Sequence, residues 1–548
     1  MLVLRLIGFA LRLVFAPLTA VWVLLRRRLP RNAWLQIEID GPVHEFPVVR
    51  RAPLPFLGFM GGRGVALSTF HEIIDEVAKD PRVRGVLIVI RSMSSGMATA
   101  TSLRKAIVRL RELTGREVVV SLPNGGDTKE LYVASAATRI IAAPRATIAP
   151  VGFVSTARYA KRALDKIGVA AERLAVGAYK SAGETLELER MSDTQREQVG
   201  ALLDTFYDEL VSAIASGRKV DEARARAIVD GAPYSSEKAV EAGLIDVAVY
   251  EDELPKALGD AKLVSAARYL AAKRARILPK LRKGRVLAVL PLHGAITSGS
   301  GPFAVDERFV SAVRALRANG RVRGVLLHVD SPGGGALASD RMHHELVALA
   351  KEKPVVAYFG NVAASGGYYA AAASHHIVCE PTTITGSIGV VAARIVVEPL
   401  MQKLGIVTET LQRGARATLL DPFHTLGQDE RTALEGEVQS FYDGFIDVVA
   451  EGRKRTREEV HAVAQGRIWS GRDAQTHGLV DELGDGHAAV LALRSRVGAG
   501  AAKMQLATLR TPWQRIPPIA PPSALGSLLG LAFSRERVLA VSILPSLW

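Results

Sequence analysis

The sequence predicts an α/β protein made of two tandem domains of one fold, preceded by an N-terminal hydrophobic helix. Two observations predict the domains: an internal repeat, and, within each copy, short apolar strand-like runs that alternate with helix-like stretches. A third observation predicts the helix, because the residues from Leu2 to Leu25 are apolar apart from Arg5, Arg12 and Thr19.

The N-terminal segment, residues 1–31, is expected to anchor the chain in a membrane. Its charge-free part, Leu13–Leu25, is short for a transmembrane helix, but counting from Leu2 gives enough length if Arg5 reaches the interface. Arg5 and Arg12 share a helical face, so a helix lying in the membrane interface is a second possibility. A cleaved signal is a third, although no convincing cleavage site follows. Arginines on both flanks leave the orientation open.

The formal net charge of +15 does not indicate a nucleic-acid partner. The basic residues crowd the N-terminal region and the stretch Lys262–Arg285, and neither carries a recognisable nucleic-acid-binding motif. Anionic membrane lipid near the N-terminus and a solvated connector explain the excess better. The single cysteine, Cys379, excludes a disulfide within the chain and a cysteine-rich zinc site. We expect no metal and no cofactor.

The internal repeat organises the chain. The run that begins at Gly85 recurs at Gly324, and residues 132–144 match residues 369–381 with equal length. Ordered matches of this kind over more than 150 residues indicate duplication. The predicted domains are an N-terminal anchor, the first repeat, a basic connector, the second repeat and a Pro-rich, then apolar tail: residues 1–31, 32–253, 254–284, 285–500 and 501–548.

Each copy alternates predicted strands and helices. In the first copy, Val86–Ile90, Val118–Ser121 and Arg139–Ala142 are typical of buried strands, and Ser102–Leu113 and Asp193–Ser216 of helices. This alternation predicts α/β units around largely parallel sheets.

The second copy differs from the first at two glycine-rich turns. After a predicted strand it has Ser-Pro-Gly333-Gly334-Gly335, where the first copy has Ser-Met-Ser-Ser-Gly96. It also has Ser365-Gly366-Gly367 before an alanine-rich helix, opposite Thr128 of the first copy. Glycines let backbone N–H groups turn toward a developing oxyanion, and a helix start favours negative charge. Alone, each turn is more typical of an ordinary connection or an N-cap than of a catalytic site.

A lysine shows the opposite pattern. The first copy has Tyr179-Lys180-Ser181 after a predicted strand, whereas its counterpart in the second copy is Arg416-Ala417-Thr418. One copy therefore has the serine without the lysine, and the other has the lysine without the serine. His375 and His376 follow Ser365 by ten and eleven residues and are expected to lie beyond the next helix, too far away to act as a base.

These segments, together with Thr385-Gly386-Ser387-Ile388-Gly389, resemble the signature segments of the signal peptide peptidase A family in its long tandem-repeat form, protease IV. The resemblance covers about residues 60–490. It implies two Clp protease/crotonase-like domains, a Ser–Lys dyad split between the repeats, and a bowl-shaped homo-oligomer, a tetramer by resemblance. It also implies hydrolysis of cleaved signal peptides and other unfolded apolar peptides by a membrane-anchored enzyme with periplasmic or extracytoplasmic catalytic domains.

The resemblance assigns roles to individual residues. Ser365 is the expected nucleophile, Lys180 the general base, and Ser387 the serine that positions the lysine, where the first copy has Pro150. The expected oxyanion donors are backbone N–H groups of three glycines, Gly333, Gly334 and Gly366. Extra acids after Lys180, such as Glu184, depart from the family pattern and leave the substrate preference open.

A lysine base requires an unusual environment. A solvated lysine has a pKa near 10.4 and keeps its proton at neutral pH, so Lys180 is expected to be buried near Ser365. Two other functions fit the sequence: a crotonase-type enzyme acting on acyl-CoA, and a catalytically silent membrane scaffold. The sequence leaves open whether the dyad forms within one chain or between chains.

Overall fold

The computed structural model describes residues 28–47, 65–275, 284–298, 305–508, 539–541 and 546–547, with Val21 and Leu25 as isolated positions. Apart from those two positions, the predicted N-terminal helix Leu2–Leu25 lies outside the described residues. Among the described residues, none of the helices is both long enough and apolar enough to cross a bilayer.

The chain forms two compact units. Unit 1 comprises Met1–Gly152 and Tyr207–Arg285, and unit 2 comprises Phe153–Phe206 and Val286–Trp548. Residues Phe153–Phe206 belong to the first repeat by sequence, yet they are part of unit 2. The domain boundaries drawn from the sequence stay predictions.

Unit 1 is built on a six-stranded parallel sheet. The central strand Val83–Met93 lies between Ala33–Gly41 and Glu117–Leu122. In sheet order the strands are Val247–Ala248, Arg139–Ala142, Glu117–Leu122, Val83–Met93, Ala33–Gly41 and Lys262–Ser265. Its main helices are Leu67–Ala78, Met97–Thr114, Thr128–Ala134, Glu222–Asp230 and Ala266–Arg274, with the part of Asp193–Arg218 that follows Phe206.

The strands of this sheet are continuous apolar runs because both faces of a parallel sheet are covered. Residues Val86–Ile90 are fully buried, and the ends of their strand carry the polar residues. Helix Met97–Thr114 ends at Gly115, whose left-handed backbone (φ 62°) suits a residue without a Cβ.

Unit 2 contains a larger sheet of the same kind. In order, its strands are Ile468–Ser470, Ile384–Gly386, Val355–Ala364, Val322–Ser331, Val286–His293 and Gln505–Thr508, with His376–Cys379 beside Val355–Ala364 and Glu482–Leu483 beyond it. The strands run parallel except Ile468–Ser470, which is antiparallel to Ile384–Gly386. The helices include Asp306–Ala318, Ala336–Ala350, Gly366–Ala371, Gln428–Arg453, Arg457–Val463, Gly471–Thr476 and Gly486–Val497.

A second, antiparallel sheet in unit 2 explains why part of the first repeat belongs there. Strand Ala170–Val176 pairs along its whole length with Val390–Val396. Beyond Val390–Val396, the sheet continues with Leu539–Val541 and then Gly333–Gly335. This sheet therefore gathers segments of both repeats and of the C-terminal tail.

The structure confirms the predicted fold class. Each unit has a mainly parallel sheet with helices, and the two repeats place equivalent strands in the same order. The predicted strands of the first copy lie within Val83–Met93, Glu117–Leu122 and Arg139–Ala142, and the predicted helices within Met97–Thr114 and Asp193–Arg218.

Candidate active site

Ser365 lies at the turn between strand Val355–Ala364 and helix Gly366–Ala371. Its side chain is fully buried, and its backbone has φ 53° and ψ −120°, a combination that non-glycine residues rarely adopt. The turn is held on both sides, because Ser365 N–H donates to Gly386 O at 2.8 Å and Ser365 O accepts from Tyr369 N–H at 2.8 Å. Strained backbone of this kind costs on the order of 1–3 kcal/mol and is concentrated at functional sites.

Lys180 lies on the loop that follows strand Ala170–Val176. The loop is fixed by its backbone: Lys180 N–H donates to Gly177 O at 3.1 Å, and Tyr179 N–H donates to Gln465 O at 2.8 Å. Arg173 Nη1 donates to Lys180 O at 2.8 Å and also pairs with Glu187 at 2.7 Å. These hydrogen bonds restrict the motion of the loop and so orient the side chain of Lys180.

The Lys180 amine contacts three oxygens of the second repeat. Its Nζ lies 2.9 Å from Ser365 Oγ, 3.0 Å from Ser387 Oγ and 3.1 Å from Ser387 O. Ser387 also has a left-handed backbone (φ 51°), and its N–H donates to Arg467 O at 2.7 Å. The structure therefore brings together all three side chains to which the sequence gave a catalytic role.

Burial decides the charge of this amine. Lys180 is 2% exposed, and its three oxygen contacts are all uncharged. Removal from water lowers the pKa of Lys180 to about 7, because the ammonium form loses its hydration without gaining a counter-ion among these contacts.

The hydrogen-bond geometry also orients the neutral amine. A neutral amine has two N–H donors and one lone pair. Ser387 O can only accept, so it takes one N–H, and Ser387 Oγ can take the second. The lone pair is then left for the hydroxyl proton of Ser365, which is the arrangement that a general base needs.

We expect the reaction of Ser365 with a serine-directed fluorophosphonate to depend on pH with an ascending limb near pH 7. Only the neutral amine can accept the proton, so the second-order rate constant should rise about tenfold per pH unit below the pKa and level off above it. The measurement is the labelling rate from pH 5 to pH 9. A limb near pH 10, where a solvated lysine titrates, would contradict the buried base.

The three glycines expected to form an oxyanion hole are in different situations. Gly333 has φ 97°, and its N–H already donates to Ser331 Oγ at 3.2 Å. At Gly334 an added Cβ would come within 1.9 Å of Ile296 O, so that position has room for glycine alone. Gly366 directly follows Ser365 at the start of its helix. The N–H of Gly333 is therefore already engaged by a side-chain oxygen.

Other candidate bases are directed elsewhere. His375 Nδ1 accepts from Val355 N–H at 3.1 Å, and His376 Nε2 lies 2.9 Å from Glu482. Among the described residues there is no group of three or more histidine, cysteine or acidic side chains that could hold a metal ion. The two histidines are thus hydrogen bonded to groups other than Ser365.

Gln198 is a site residue that sequence reasoning missed. It is almost fully buried on helix Asp193–Arg218, and its amide nitrogen donates to Tyr179 O at 3.1 Å and Ser181 Oγ at 3.2 Å. Its amide oxygen accepts from Ile468 N–H at 3.0 Å. Gln198 therefore ties the lysine loop to the strand beside Ile384–Gly386, which leads to Ser387. A glutamine in a helix gives no sequence signal for this role.

Replacing Gln198 with methionine should lower kcat between about tenfold and 100-fold with little change in KM, because the lysine loop loses its link to Ile468 and the amine moves. The measurements are peptide hydrolysis and the pH profile of fluorophosphonate labelling. The ascending limb of that profile should shift to higher pH, because water that reaches Lys180 raises the pKa of its amine. The matched control is Gln439→Met on helix Gln428–Arg453, where the exposed amide donates to Asp443 at 3.1 Å. An unchanged profile in Gln198→Met would mean that Gln198 is merely structural.

A buried amine held against a serine at a strained strand-to-helix turn is the arrangement of serine hydrolases in which lysine takes the place of histidine. The sequence profile of peptidase family S49 matches residues 112–265 and 347–500, one match in each repeat. The chain therefore belongs to peptidase family S49, and the predicted tandem-repeat peptidase family is confirmed.

Similar proteins agree with this assignment. The chloroplastic serine protease SPPA of Arabidopsis thaliana is 33% identical over 77% of this chain, and Protease 4 of Salmonella typhi is 30% identical over 76%. A protein of Enterococcus faecium, provisionally named signal peptide peptidase SppA, is 36% identical over 32% of this chain and 52% of its own length. This chain spans 64% of the length of the Arabidopsis relative and 70% of the Salmonella relative.

Proposed function

We propose that this protein is a serine endopeptidase with a Ser365–Lys180 dyad that degrades cleaved signal peptides and other apolar peptides. The observation that carries the proposal is the 2.9 Å contact between Lys180 Nζ and Ser365 Oγ at a buried position. Membership of peptidase family S49 supports the reaction class.

The proposed reaction follows from the proton positions. Neutral Lys180 accepts the Ser365 hydroxyl proton as Oγ attacks the peptide carbonyl carbon, and the resulting oxyanion is stabilised by backbone N–H groups of Gly334 and Gly366. The ammonium then gives its proton to the leaving nitrogen, so the C–N bond breaks and an acyl-enzyme remains. Water, deprotonated by the same amine, releases the acid product and restores Ser365. Throughout, Ser387 keeps the amine in place.

An extended peptide is the substrate shape that the site suits. The tail strand Leu539–Val541 pairs antiparallel with Gly333–Gly335 on one side and, at Val391, with Val390–Val396 on the other. A peptide in the same position would gain backbone hydrogen bonds whatever its sequence, as in other cases of strand addition. Such binding favours unfolded peptides, which have free backbone groups, over folded proteins.

The proposal includes a membrane location. The apolar segment Leu2–Leu25 would anchor the enzyme in a membrane, and the arginines that follow it would contact anionic lipid. The location of the catalytic domains outside the cytoplasm rests on the resemblance to the signal peptide peptidase A family alone. The protein would act as a homo-oligomer, a tetramer by its resemblance to the signal peptide peptidase A family. Resistance of the full chain to carbonate extraction from membranes would support the anchor, and release into the supernatant would contradict it.

The proposal is tested by labelling and by degradation with the full chain in detergent. We expect a fluorophosphonate to label the wild type, and an apolar signal-peptide sequence to be degraded, with both lost in Ser365→Ala. Labelling without degradation of any apolar peptide would indicate a different hydrolase substrate. Absence of both would indicate a silent scaffold, and turnover of an acyl-CoA thioester that persists in Ser365→Ala would indicate crotonase-type chemistry.

A further inference from the structure

A cleft of about 450 Å³ lies beside the edge strand Lys262–Ser265 of unit 1. It is lined by the chain just before the first strand of the sheet, Arg28–Pro30, by the edge strand itself and by the start of helix Ala266–Arg274. Volumes of this size are typical of sites for small molecules, about 300–1,000 Å³. The proposed peptidase mechanism uses none of these residues.

The lining of the cleft combines positive charge with apolar surface. Its cations are Arg28, Lys262 and Arg268, and its apolar part comes from leucine, proline, alanine and valine side chains. Among the described residues that line the cleft, none is acidic. The cleft therefore suits a ligand that has both an anionic group and a hydrocarbon part.

These three cations have no counter-ion in the described part of the chain. None of them forms an ion pair or a side-chain hydrogen bond with another described residue. The opposite end of the same helix is different, because Lys273 lies 2.9 Å from Asp80 and Arg274 pairs with Glu72. The first turn of the helix, which carries Arg268, has no acidic residue. The positive charge at the cleft is therefore available to an anion from outside the chain.

The cleft lies close to the end of the apolar N-terminal segment. Arg28 N–H donates to Leu25 O at 3.2 Å, so a single turn of chain separates the last residue of Leu2–Leu25 from the cleft. With that segment in a bilayer, Arg28 would lie in the headgroup layer, which extends about 5–8 Å beyond the hydrocarbon on each side. This position favours a lipid headgroup over a dissolved anion as the ligand.

We infer that this cleft binds the headgroup of an anionic phospholipid, with the phosphate between the three cations and the glycerol against the apolar wall. A guanidinium can donate two parallel N–H···O bonds to a phosphate, and a lysine adds a point charge. The bound lipid would hold the start of unit 1 at the bilayer surface. This inference rests on the proposed membrane location and does not depend on peptidase activity.

Lipid binding to the full chain in a neutral detergent tests the inference. The probes are phosphatidylglycerol and phosphatidylcholine with the same short acyl chains, and the measurement is the Kd of each by isothermal titration calorimetry. We expect phosphatidylglycerol to bind at least about tenfold more tightly. Lys262→Gln with Arg268→Gln should weaken phosphatidylglycerol binding about 30-fold, since each cation near anionic lipid contributes about a factor of five.

A matched control and a second variant separate binding in the cleft from general attraction to lipid. Lys79→Gln with Arg84→Gln removes the same charge from exposed positions of unit 1 outside the cleft, and its Kd should stay within about twofold of the wild type because salt screens such charges. Val264 is a half-buried lining residue on the edge strand. Val264→Trp should fill part of the cleft without changing the charge, and so reduce the affinity to that of the Lys262→Gln, Arg268→Gln protein.

Three results would overturn the inference. Equal Kd values for the two lipids would exclude recognition of the anionic headgroup. An unchanged Kd in either cleft variant would mean that lipid binds elsewhere on the chain. Inorganic phosphate is the third probe, and if it binds as tightly as phosphatidylglycerol, the cleft takes a dissolved anion. Carbonate extraction tests the membrane location separately, so failure of that proposal and failure of this inference are distinguishable.

Discussion

Replacing Lys180 with methionine should reduce peptide hydrolysis by about 10,000-fold or more, the scale of loss seen when one member of a catalytic unit is removed. Methionine has nearly the shape of lysine and suits a buried position, so the protein should fold. It has no lone pair able to take the Ser365 proton, and the nucleophile stays a neutral hydroxyl. The measurement is kcat/KM for an apolar peptide, with Ser365→Ala assayed beside it.

Two further results define this experiment. Lys129→Met is the matched control, because its Nζ donates to Ser95 O at 3.0 Å in unit 1, and it should keep activity within about twofold. The double variant Ser365→Ala, Lys180→Met should be no worse than either single variant, since the two groups act as a unit. A Lys180→Met protein within tenfold of wild type would contradict the general base.

Replacing Gly466 with alanine should lower kcat by about 100-fold. An added Cβ would lie 2.5 Å from Lys180 Cβ and 2.6 Å from Lys180 N, so the lysine loop must move. Gly466 also has φ 75°, and its N–H donates to Ile388 O at 2.8 Å, beside Ser387. Displacement of either the lysine loop or the backbone beside Ser387 separates the Lys180 amine from Ser365. The measurements are kcat and the pH profile of fluorophosphonate labelling.

The control for this substitution is Gly498→Ala. Gly498 also has a positive φ, 81°, but an added Cβ meets nothing within 4 Å. A positive φ disfavours alanine at both positions. Loss of activity in Gly466→Ala alone would assign the effect to the collision with Lys180. Equal losses in both variants would assign it to general destabilisation.

The sequence was sufficient for the fold class and for the proposed dyad. The runs around Val86–Ile90 are apolar on both faces, which few structures other than covered parallel strands require. Comparison of the two copies then isolated Ser365 and Lys180, because each is missing at the equivalent position of the other copy. Ser387 followed from the family resemblance and from Pro150 at its equivalent position.

The remaining site residues could not be found in this way. Gln198 contacts Ile468, 270 positions away, and Gly466 matters because of one close approach to Lys180. Neither contact has a local pattern, since helix glutamines and loop glycines are common. The sequence also did not predict that residues 153–206 belong to unit 2, because this depends on the long-range pairing of Ala170–Val176 with Val390–Val396.

Lys180 and Ser365 of the same chain meet in unit 2, and this has a genetic consequence. A cell that makes active and inactive versions of the protein together should lose activity in proportion to the inactive share. An inactive chain lacks only its own active site, and the sites of neighbouring chains stay active. A null allele would therefore be recessive rather than dominant. Two chains with different dyad defects, by contrast, would not restore each other.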